Sequence, residues 1–514
     1  MSTAKTLNNL FVNNAFAKGF WMLFLVLAAK ALFIVFIIQT AGIYLSPDEA
    51  QYWTWSQNLD WGYYSKPPGI AWQIWLGTQL FGQTELGVRF FAVVIGFFQP
   101  LAVFTLARSA GLSWKAAFYS GLVMALVPLG WIGSLQSITD GGMVLFWTLA
   151  SASLAASLNK GNAPNPLIIG LFVLCGALFK WPIYFFWIFY LIFRREFFSS
   201  QSIFKFLVGV AVSLLGLLPS LFWNWSHDWV TFRHVAAILQ GGHGPSTSNA
   251  IEFLGAQMLL LTPPLFILAV YTAIFFIKNF KLLSPSLAFI SGSFFGSLLA
   301  AVCLATFQKV QGNWIVFCYP LAIVWLAWFI FDLKGASKWW VKSGFIFSGI
   351  LICLVFIFSQ FPSLPYNPLK HQLGWDQLKI ALQKHGYDPE EHFLVSDKYQ
   401  TTSLLSFYSE KQKQAYFLNL GKNRNNQFSY WPTLQQDFPG GSGFFVWIEN
   451  QPHLDRLELE RLQWYLKELG SYFESVRFVA KEPLVGDEKK IIKGALLFYC
   501  KGCKEAAPSV SDLY

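Results

Sequence analysis

Between Ser46 and Gly69 the chain reads SPDEAQYWTWSQNLDWGYYSKPPG. Two adjacent acids, Asp48 and Glu49, are followed by a lysine, Lys66, braced by Pro67 and Pro68. A carboxylate at the mouth of a cavity accepts a proton or steadies a developing positive charge. A lysine on a proline-stiffened turn holds a phosphate as a point charge. Both motifs also have plain structural readings. Ser46 suits an N-cap and Pro47 a first helical position, so the acids would sit where the helix dipole favours them. Lys66 would then be an interfacial lysine in a proline turn. The stretch follows a long apolar segment, and charged groups beside a hydrophobic bundle mark a site.

Other residues extend the set. Asp140 opens an apolar segment after Ile138-Thr139, where it either caps a helix or joins the site. Lys180 ends another, ahead of Trp181-Pro182. Arg89 follows Glu85 by one helical turn, which suggests either a local ion pair or a ligand contact. The segment WNWSHDWVTFRH holds His227, Asp228, Arg233 and His234. The two histidines fit no clean zinc-ligand spacing, so no metal or other cofactor is required, although a divalent ion stays conceivable. Arg233 is the candidate second phosphate contact. Gln308–Trp314 is a loop placed to close a cavity. Trp53, Trp55, Trp61, Tyr63 and Tyr64 suit either sugar stacking or, better, a membrane-interface belt.

Such groups need a scaffold. Of 514 residues, 55% are hydrophobic and 12% charged, with mean hydropathy +0.45. That composition reads as an integral membrane protein. Residues 1–365 carry 19 Lys and Arg against 9 Asp and Glu, and residues 366–514 carry 18 of each. The excess of positive charge therefore belongs to membrane topology rather than to nucleic acid, which is excluded as a partner. About eleven apolar segments are expected: 20–40, 86–107, 114–134, 139–158, 165–180, 182–193, 203–223, 251–277, 285–307, 313–331 and 343–361. Lys30, inside the first, must face the bundle interior. With a cytoplasmic N-terminus, 13 basic residues fall inside, while Lys66, Arg89, Lys180, Arg233 and Lys309 fall outside. The outer face also collects seven acids, so the chemistry is expected there. Residues 366–514 alternate between helical and strand patterns and read as a soluble α/β domain. Cys500 and Cys503 form a CxxC that is compatible with a disulfide or with two thiols.

The motifs SPDEAQYW, DWGYYSKPPG and TELGVRFFAV, with Ile138-Thr139-Asp140, Phe179-Lys180-Trp181 and WNWSHDWVTFR, resemble the polyprenyl-phosphate-sugar-dependent glycosyltransferases of the GT-C fold. Within that group the chain is similar to the protein-O-mannosyltransferase and lipid A aminoarabinose-transferase types, over roughly residues 20–320. The resemblance implies a polytopic α-helical membrane domain over 1–365, with the site on the first outer loop, 41–85, and an extracytoplasmic domain over 366–514. It implies Asp48 as the catalytic carboxylate, with Glu49, Tyr64, Lys66, Arg89, Asp140, Lys180, His227 and Arg233 binding substrate. It leaves open the role of His243 in the Gly-Gly-His-Gly run. It further implies an undecaprenyl-phosphate sugar donor, a glycolipid, glycan or protein acceptor, and a bacterial inner membrane location with a periplasmic C-terminal domain. A lipid-linked sugar flippase is the competing expectation.

Overall fold

The computed structural model describes residues 2–193, 200–240, 247–362, 364, 367–421, 424–450, 459–487 and 490–505. Apolar runs of this length form helices because a bilayer offers no partner for free backbone groups. Eight helices are long and apolar enough to cross a membrane, and the bent pair Trp114–Leu126 and Pro128–Leu135 makes a ninth candidate. Two shorter apolar helices, Pro166–Ala177 and Trp181–Phe193, account for the expected segments 165–180 and 182–193. The chain is a multi-pass membrane protein.

Eight helices frame the site. They are α1 (Ser2–Thr40), α2 (Pro47–Gln57), α3 (Gly69–Phe81), α4 (Glu85–Ser109), α5 (Trp114–Leu126), α6 (Pro128–Leu135), α7 (Thr139–Lys160) and α8 (Pro166–Ala177). Ser46 caps α2 with Pro47 in the first turn, and Glu49 closes a capping box by accepting from the Ser46 N–H at 2.9 Å. The break at Val127–Pro128 bends α5 from α6 by 59°, because a proline cannot continue the hydrogen-bond ladder. Lys30 faces inward and holds the bent segment. Its ammonium donates to the Gly130 carbonyl at 3.0 Å and to Ser134 Oγ at 2.9 Å, and lies 5.1 Å from the Trp131 ring.

The C-terminal part is a five-stranded sheet in the order β2-β1-β3-β5-β4. The strands are β1 (His392–Ser396), β2 (Tyr416–Phe417), β3 (Ser442–Asn450), β4 (Phe473–Gly486) and β5 (Ile491–Cys503). β1 runs parallel to β2 and β3, and β5 antiparallel to β3 and β4. Cys500 and Cys503 are buried free thiols.

The aromatic loop departs from the interfacial belt expected of it. Trp53, Trp55, Tyr63 and Tyr64 are buried, and only Trp61 of the five is exposed. Their cover is the C-terminal part. One apolar cluster joins Leu45, Trp53, Trp55, Tyr63 and Ile70 to Trp375, Leu404, Phe407, Phe444 and Leu497. Trp53 meets Phe407 edge-on at 4.9 Å, and Trp55 stacks on Tyr63 at 4.7 Å. Polar bonds follow the same seam: Leu45 N–H donates to the Tyr408 hydroxyl at 2.7 Å, and that hydroxyl donates to Glu85 at 3.1 Å. Trp53→Ala and Phe407→Ala should each destabilise the protein by about 3–5 kcal/mol. Because the rings touch, the double variant should lose less than the sum, as read by thermal unfolding of the detergent-solubilised protein.

Candidate functional site

A cavity of about 430 Å³ opens where the first loop, the starts of α7 and the Lys180 turn, and the C-terminal part converge. Asp48 and Tyr52 reach it from α2, and Lys66 from the proline turn. Asp140 and Lys180 face it, Gln311 and Asn313 come from the expected closing loop, and Tyr399, Arg424 and Asn425 come from the C-terminal part.

The wall is set by close backbone approaches. Gly69 N–H donates to the Leu178 carbonyl at 2.8 Å, and a Cβ on Gly69 would lie 2.6 Å from that oxygen. The Lys-Pro-Pro-Gly turn is therefore pinned two residues from Lys180. Gly142 lies flat against the Phe179 ring, leaving a Cβ only 2.5 Å of space. That contact puts Asp140 beside Lys180, and the pair closes at 2.7 Å. Asn313 Nδ2 donates to the other oxygen of Asp140 at 3.1 Å.

Lys66 differs from Lys180. Among the described residues its ammonium has no ion-pair or hydrogen-bond partner. Burial lowers its pKa, as do Lys180 and Arg424, while Asp140 and Asp48 pull the other way. Asp48 is accessible through the cavity it lines. Enclosure by the walls raises its carboxyl above the usual range, Lys66 opposes this, and Glu49 adds to it. An unpaired ammonium and a poised carboxylate thus share one wall.

Four of the expected ligand residues lie elsewhere. Glu49 and Arg89 are fully buried against each other, Nε to Oε1 and Nη2 to Oε2 at 2.9 Å each. Arg89 does not pair with Glu85 as the helical spacing suggests. Its Nη1 instead donates to the Ile43 carbonyl at 2.8 Å. The Glu49 carboxylate also accepts from the Ser46 and Ser137 N–H groups, at 2.9 and 3.1 Å. The Glu49 carboxylate accepts four hydrogen bonds and Arg89 donates four, the fourth to the Tyr44 carbonyl at 2.9 Å, and with both side chains fully buried neither is available to a ligand. His227 stacks on Trp223 at 4.0 Å and bonds the Trp223 carbonyl through Nδ1 at 2.7 Å. It sits behind the wall.

Arg233 is exposed and lies off the cavity. The reason is local. Asp228 and Trp229 take positive φ, 51° and 57°, an uncommon conformation for such residues. They start the helix Val230–Gln240 in the orientation that turns Thr231 and His234 inward. Thr231 Oγ1 donates to the Tyr63 carbonyl at 3.2 Å. His243 lies outside the described residues.

In place of Arg233, the cavity holds Arg424 beside Lys66 and Lys180. Arg424 Nη1 lies 3.0 Å from His234 Nδ1, and Tyr399 lines the same cavity. Burial, Arg424 and Lys66 lower the His234 pKa to about 4, so its ring is neutral near pH 7. Tyr399 lies just past the carboxyl end of β1, and Arg424 follows β2. Carboxyl ends of parallel strands are where open α/β sheets place ligands. That rule, applied to the residues after each predicted strand, is the signal that points to Tyr399. Arg424 carries no motif of its own. Among the described residues no three His, Cys, Asp or Glu side chains gather to hold a metal ion.

The model of the dolichyl-phosphate-mannose-protein mannosyltransferase family matches residues 65–223. That range contains Lys66, Arg89, Asp140 and Lys180 but neither Asp48 nor Arg424. The lipid A galacturonosyltransferase RgtD of Rhizobium johnstonii is 29% identical over 294 residues, 55% of this chain and 60% of that protein. An uncharacterized protein of Aquifex aeolicus is 32% identical over 127 residues, 21% of this chain and 26% of its own. The chain thus spans less than two thirds of the length of these relatives. The crystal structure of ArnT from Cupriavidus metallidurans bound to undecaprenyl phosphate has a TM-score of 0.57 at 13% identity, over 94% of this chain and 99% of that one. The apo form of the same protein gives 0.57 at 14%, over 92% and 97%. The GT-C resemblance read from the motifs therefore holds in sequence and in fold, with a helical membrane part and a C-terminal sheet.

Two variants separate scaffold from site. Arg89→Ala leaves a buried carboxylate unpaired and should cost about 3–5 kcal/mol of stability. Asp48 carries a raised pKa in the fold, so the folded state disfavours its charge, and that penalty is present above the unfolded carboxyl pKa. Asp48→Asn should therefore melt at or above the wild-type temperature near pH 7. Thermal unfolding at that pH checks both.

Proposed function

We propose that this chain is a membrane glycosyltransferase. It moves a sugar from an undecaprenyl-phosphate-linked donor to an envelope acceptor at the periplasmic face of a bacterial inner membrane. The acceptor class favoured is lipid A or a related glycolipid, supported by the likeness to the lipid A galacturonosyltransferase RgtD. In this reading the N-terminus is cytoplasmic and residues 366–514 form a periplasmic domain. The observation that carries the proposal is the wall on which Asp48 and the unpaired Lys66 face one cavity.

The chemistry follows from charge. As the glycosidic bond breaks, negative charge builds on the departing phosphate and positive charge on the anomeric carbon. Lys66 and Arg424 meet the phosphate. Lys180, tied to Asp140, adds positive potential and keeps the turn in place. Asp48 favours the oxocarbenium-like carbon and, when the attacking group is a hydroxyl, takes its proton. Attack from the face opposite the phosphate inverts the anomeric centre. Tyr52 and Tyr399 flank Asp48 and shape the sugar pocket. Arg424 replaces Arg233 as the second phosphate cation, because only Arg424 faces the cavity.

Transfer of radiolabelled sugar from purified donor lipid tests this. Asp48→Asn and Lys66→Ala should each lower turnover at least about 100-fold, in line with loss of a general base or an oxyanion partner, while inserting normally. Arg424→Ala should raise the donor KM roughly 10-fold or more, the scale of a charge-assisted bond, and Arg233→Ala should change it less than twofold. Full activity of Asp48→Asn or Lys66→Ala would sink the assignment. The pH profile is constrained as well. A carboxyl with a raised pKa loses its proton later, so the acid limb should lie above the ordinary carboxylate range. A lysine with a lowered pKa loses its charge earlier, so the alkaline limb should lie below the usual lysine value. In Asp48→Asn the residual activity should lack the acid limb.

A further inference from the structure

A second cavity, of about 380 Å³, lies at the far end of the membrane helices from Asp48 and Lys66. α4 packs against both α1 and α7, and the cavity is a furrow over α4 lined from all three helices. Phe20, Phe104 and Ala156 make its apolar part, and Arg108, Asn159 and Lys160 its polar rim. At 1.5 Å per residue, Arg108 lies about 28 Å along α4 from Arg89, and Lys160 about 30 Å along α7 from Asp140. That is one hydrocarbon thickness, so the rim stands at the opposite bilayer interface from the charged wall. The furrow is on the perimeter of the bundle. Trp21 and Leu25 of α1 are 58% and 66% exposed, and Thr105 of α4, which lines the furrow, is exposed too.

The two helix ends are locked together. Gly111 turns the chain after α4 at φ 88°, and a Cβ there would lie 2.8 Å from Asn159 Oδ1. Arg108 Nη1 donates to the Leu112 carbonyl in the same turn. A guanidinium carries five N–H donors, so an anchored arginine still makes charge-assisted bonds to a phosphate. Lys160 ends α7, is exposed, and has no ion-pair or hydrogen-bond partner among the described residues. No Asp or Glu among the described residues lines the furrow. A cation in the last turn of a helix also eases the helix dipole. That accounts for one basic residue at each helix end. It does not account for the apolar groove between them, with Phe104 and Ala156 each one turn deeper than Arg108 and Lys160. Cations at the interface above an apolar groove match a lipid with an anionic headgroup over an acyl chain. A zwitterionic headgroup would bring an ammonium against two positive charges.

We propose that this furrow binds an anionic diacyl phospholipid of the leaflet opposite the charged cavity. Its phosphate lies between Arg108 and Lys160, and one acyl chain runs over Phe104. The bound lipid ties α1 to α4 and α7. The inference is independent of what the first cavity transfers.

Binding of phosphatidylglycerol and of phosphatidylethanolamine with identical acyl chains to the purified full-length protein, read by native mass spectrometry, tests this. The wild type should prefer phosphatidylglycerol roughly 30-fold, the scale of two cations acting on one headgroup charge. Lys160→Ala should reduce the preference about fivefold, the share of one cation, and Lys160→Glu should abolish it. Lys160 is exposed, so neither change disturbs the fold. Phosphatidylglycerol should also raise the unfolding temperature of the wild type and not that of Lys160→Glu. Ala156→Leu, which fills the furrow without changing charge, should weaken phosphatidylglycerol binding. The control is Lys342→Glu. Lys342 is exposed outside the furrow, near the start of the helix Trp339–Gln360, whose other end leads toward the sheet. This variant should keep the wild-type preference. Equal binding of the two lipids by the wild type would overturn the proposal. So would a loss in Lys342→Glu as large as that in Lys160→Glu, which would mean a diffuse positive surface. Displacement of phosphatidylglycerol by inorganic phosphate, or tighter Lys160-dependent binding of undecaprenyl phosphate, would also overturn it, assigning the furrow to a free anion or to a polyprenyl lipid.

Discussion

The buried pair of Glu49 and Arg89 is the joint on which the site turns. Neither side chain has any exposure. A charge taken out of water is tolerated only if its partner and its remaining hydrogen bonds are all supplied. Here they are supplied by four separate pieces of chain. Arg89 belongs to a membrane helix, Glu49 and Ser46 to the first loop, Ile43 and Tyr44 to the exit from α1, and Ser137 to the approach to α7. Satisfying one ion pair therefore fixes the relative positions of the segments that carry Asp48 and Asp140. The acid beside Asp48 contributes through what it holds in place, and Asp48 itself is left to face the cavity.

The second constraint is a shared core. Trp53, Trp55 and Tyr63 are covered by side chains from residues 375–497, so the first loop has no separate way of burying its aromatic area. The C-terminal sheet consequently reaches the site. The helix Tyr399–Tyr408 packs beside α2, and the carboxyl ends of β1 and β2 deliver Tyr399 and Arg424 to the cavity. A soluble domain appended to a membrane enzyme would leave the cavity with cations from one side only. This arrangement surrounds it with Lys66 and Lys180 from the membrane part and Arg424 from the sheet. His234, held neutral beside Arg424, fills the space without adding a fourth charge.

The two kinds of lysine in the site illustrate a division that recurs through the molecule. Lys180 is matched with Asp140, and Lys30 with carbonyl and hydroxyl oxygens, so each is committed to structure. Lys66 is near both acids yet bonded to neither. Folding leaves its positive charge incompletely compensated.

Much of this was legible in the sequence. Apolar length and charge asymmetry are one-dimensional properties, so they identified a multi-pass membrane protein with a different C-terminal part. The N-cap at Ser46 and the rigid turn at Lys66 involve neighbours only, and they too could be read directly. Pairings across the chain could not. Whether Arg89 meets Glu85 one turn away or Glu49 across a loop depends on which helix faces which, and spacing is silent on that. The same holds for tryptophans, since a ring at a bilayer surface and a ring under a sheet have the same composition. Arg233 looked like the phosphate cation because it sits in a recognisable run, but two residues at positive φ turn it away. Arg424 looked like any polar loop residue, and only the sheet that ends beside Asp48 gives it a role. The sequence determined which groups are available for chemistry. The tertiary structure decided which of them are already bonded and which still face the cavity, because a buried charge is settled by the partners that surround it and not by its neighbours along the chain.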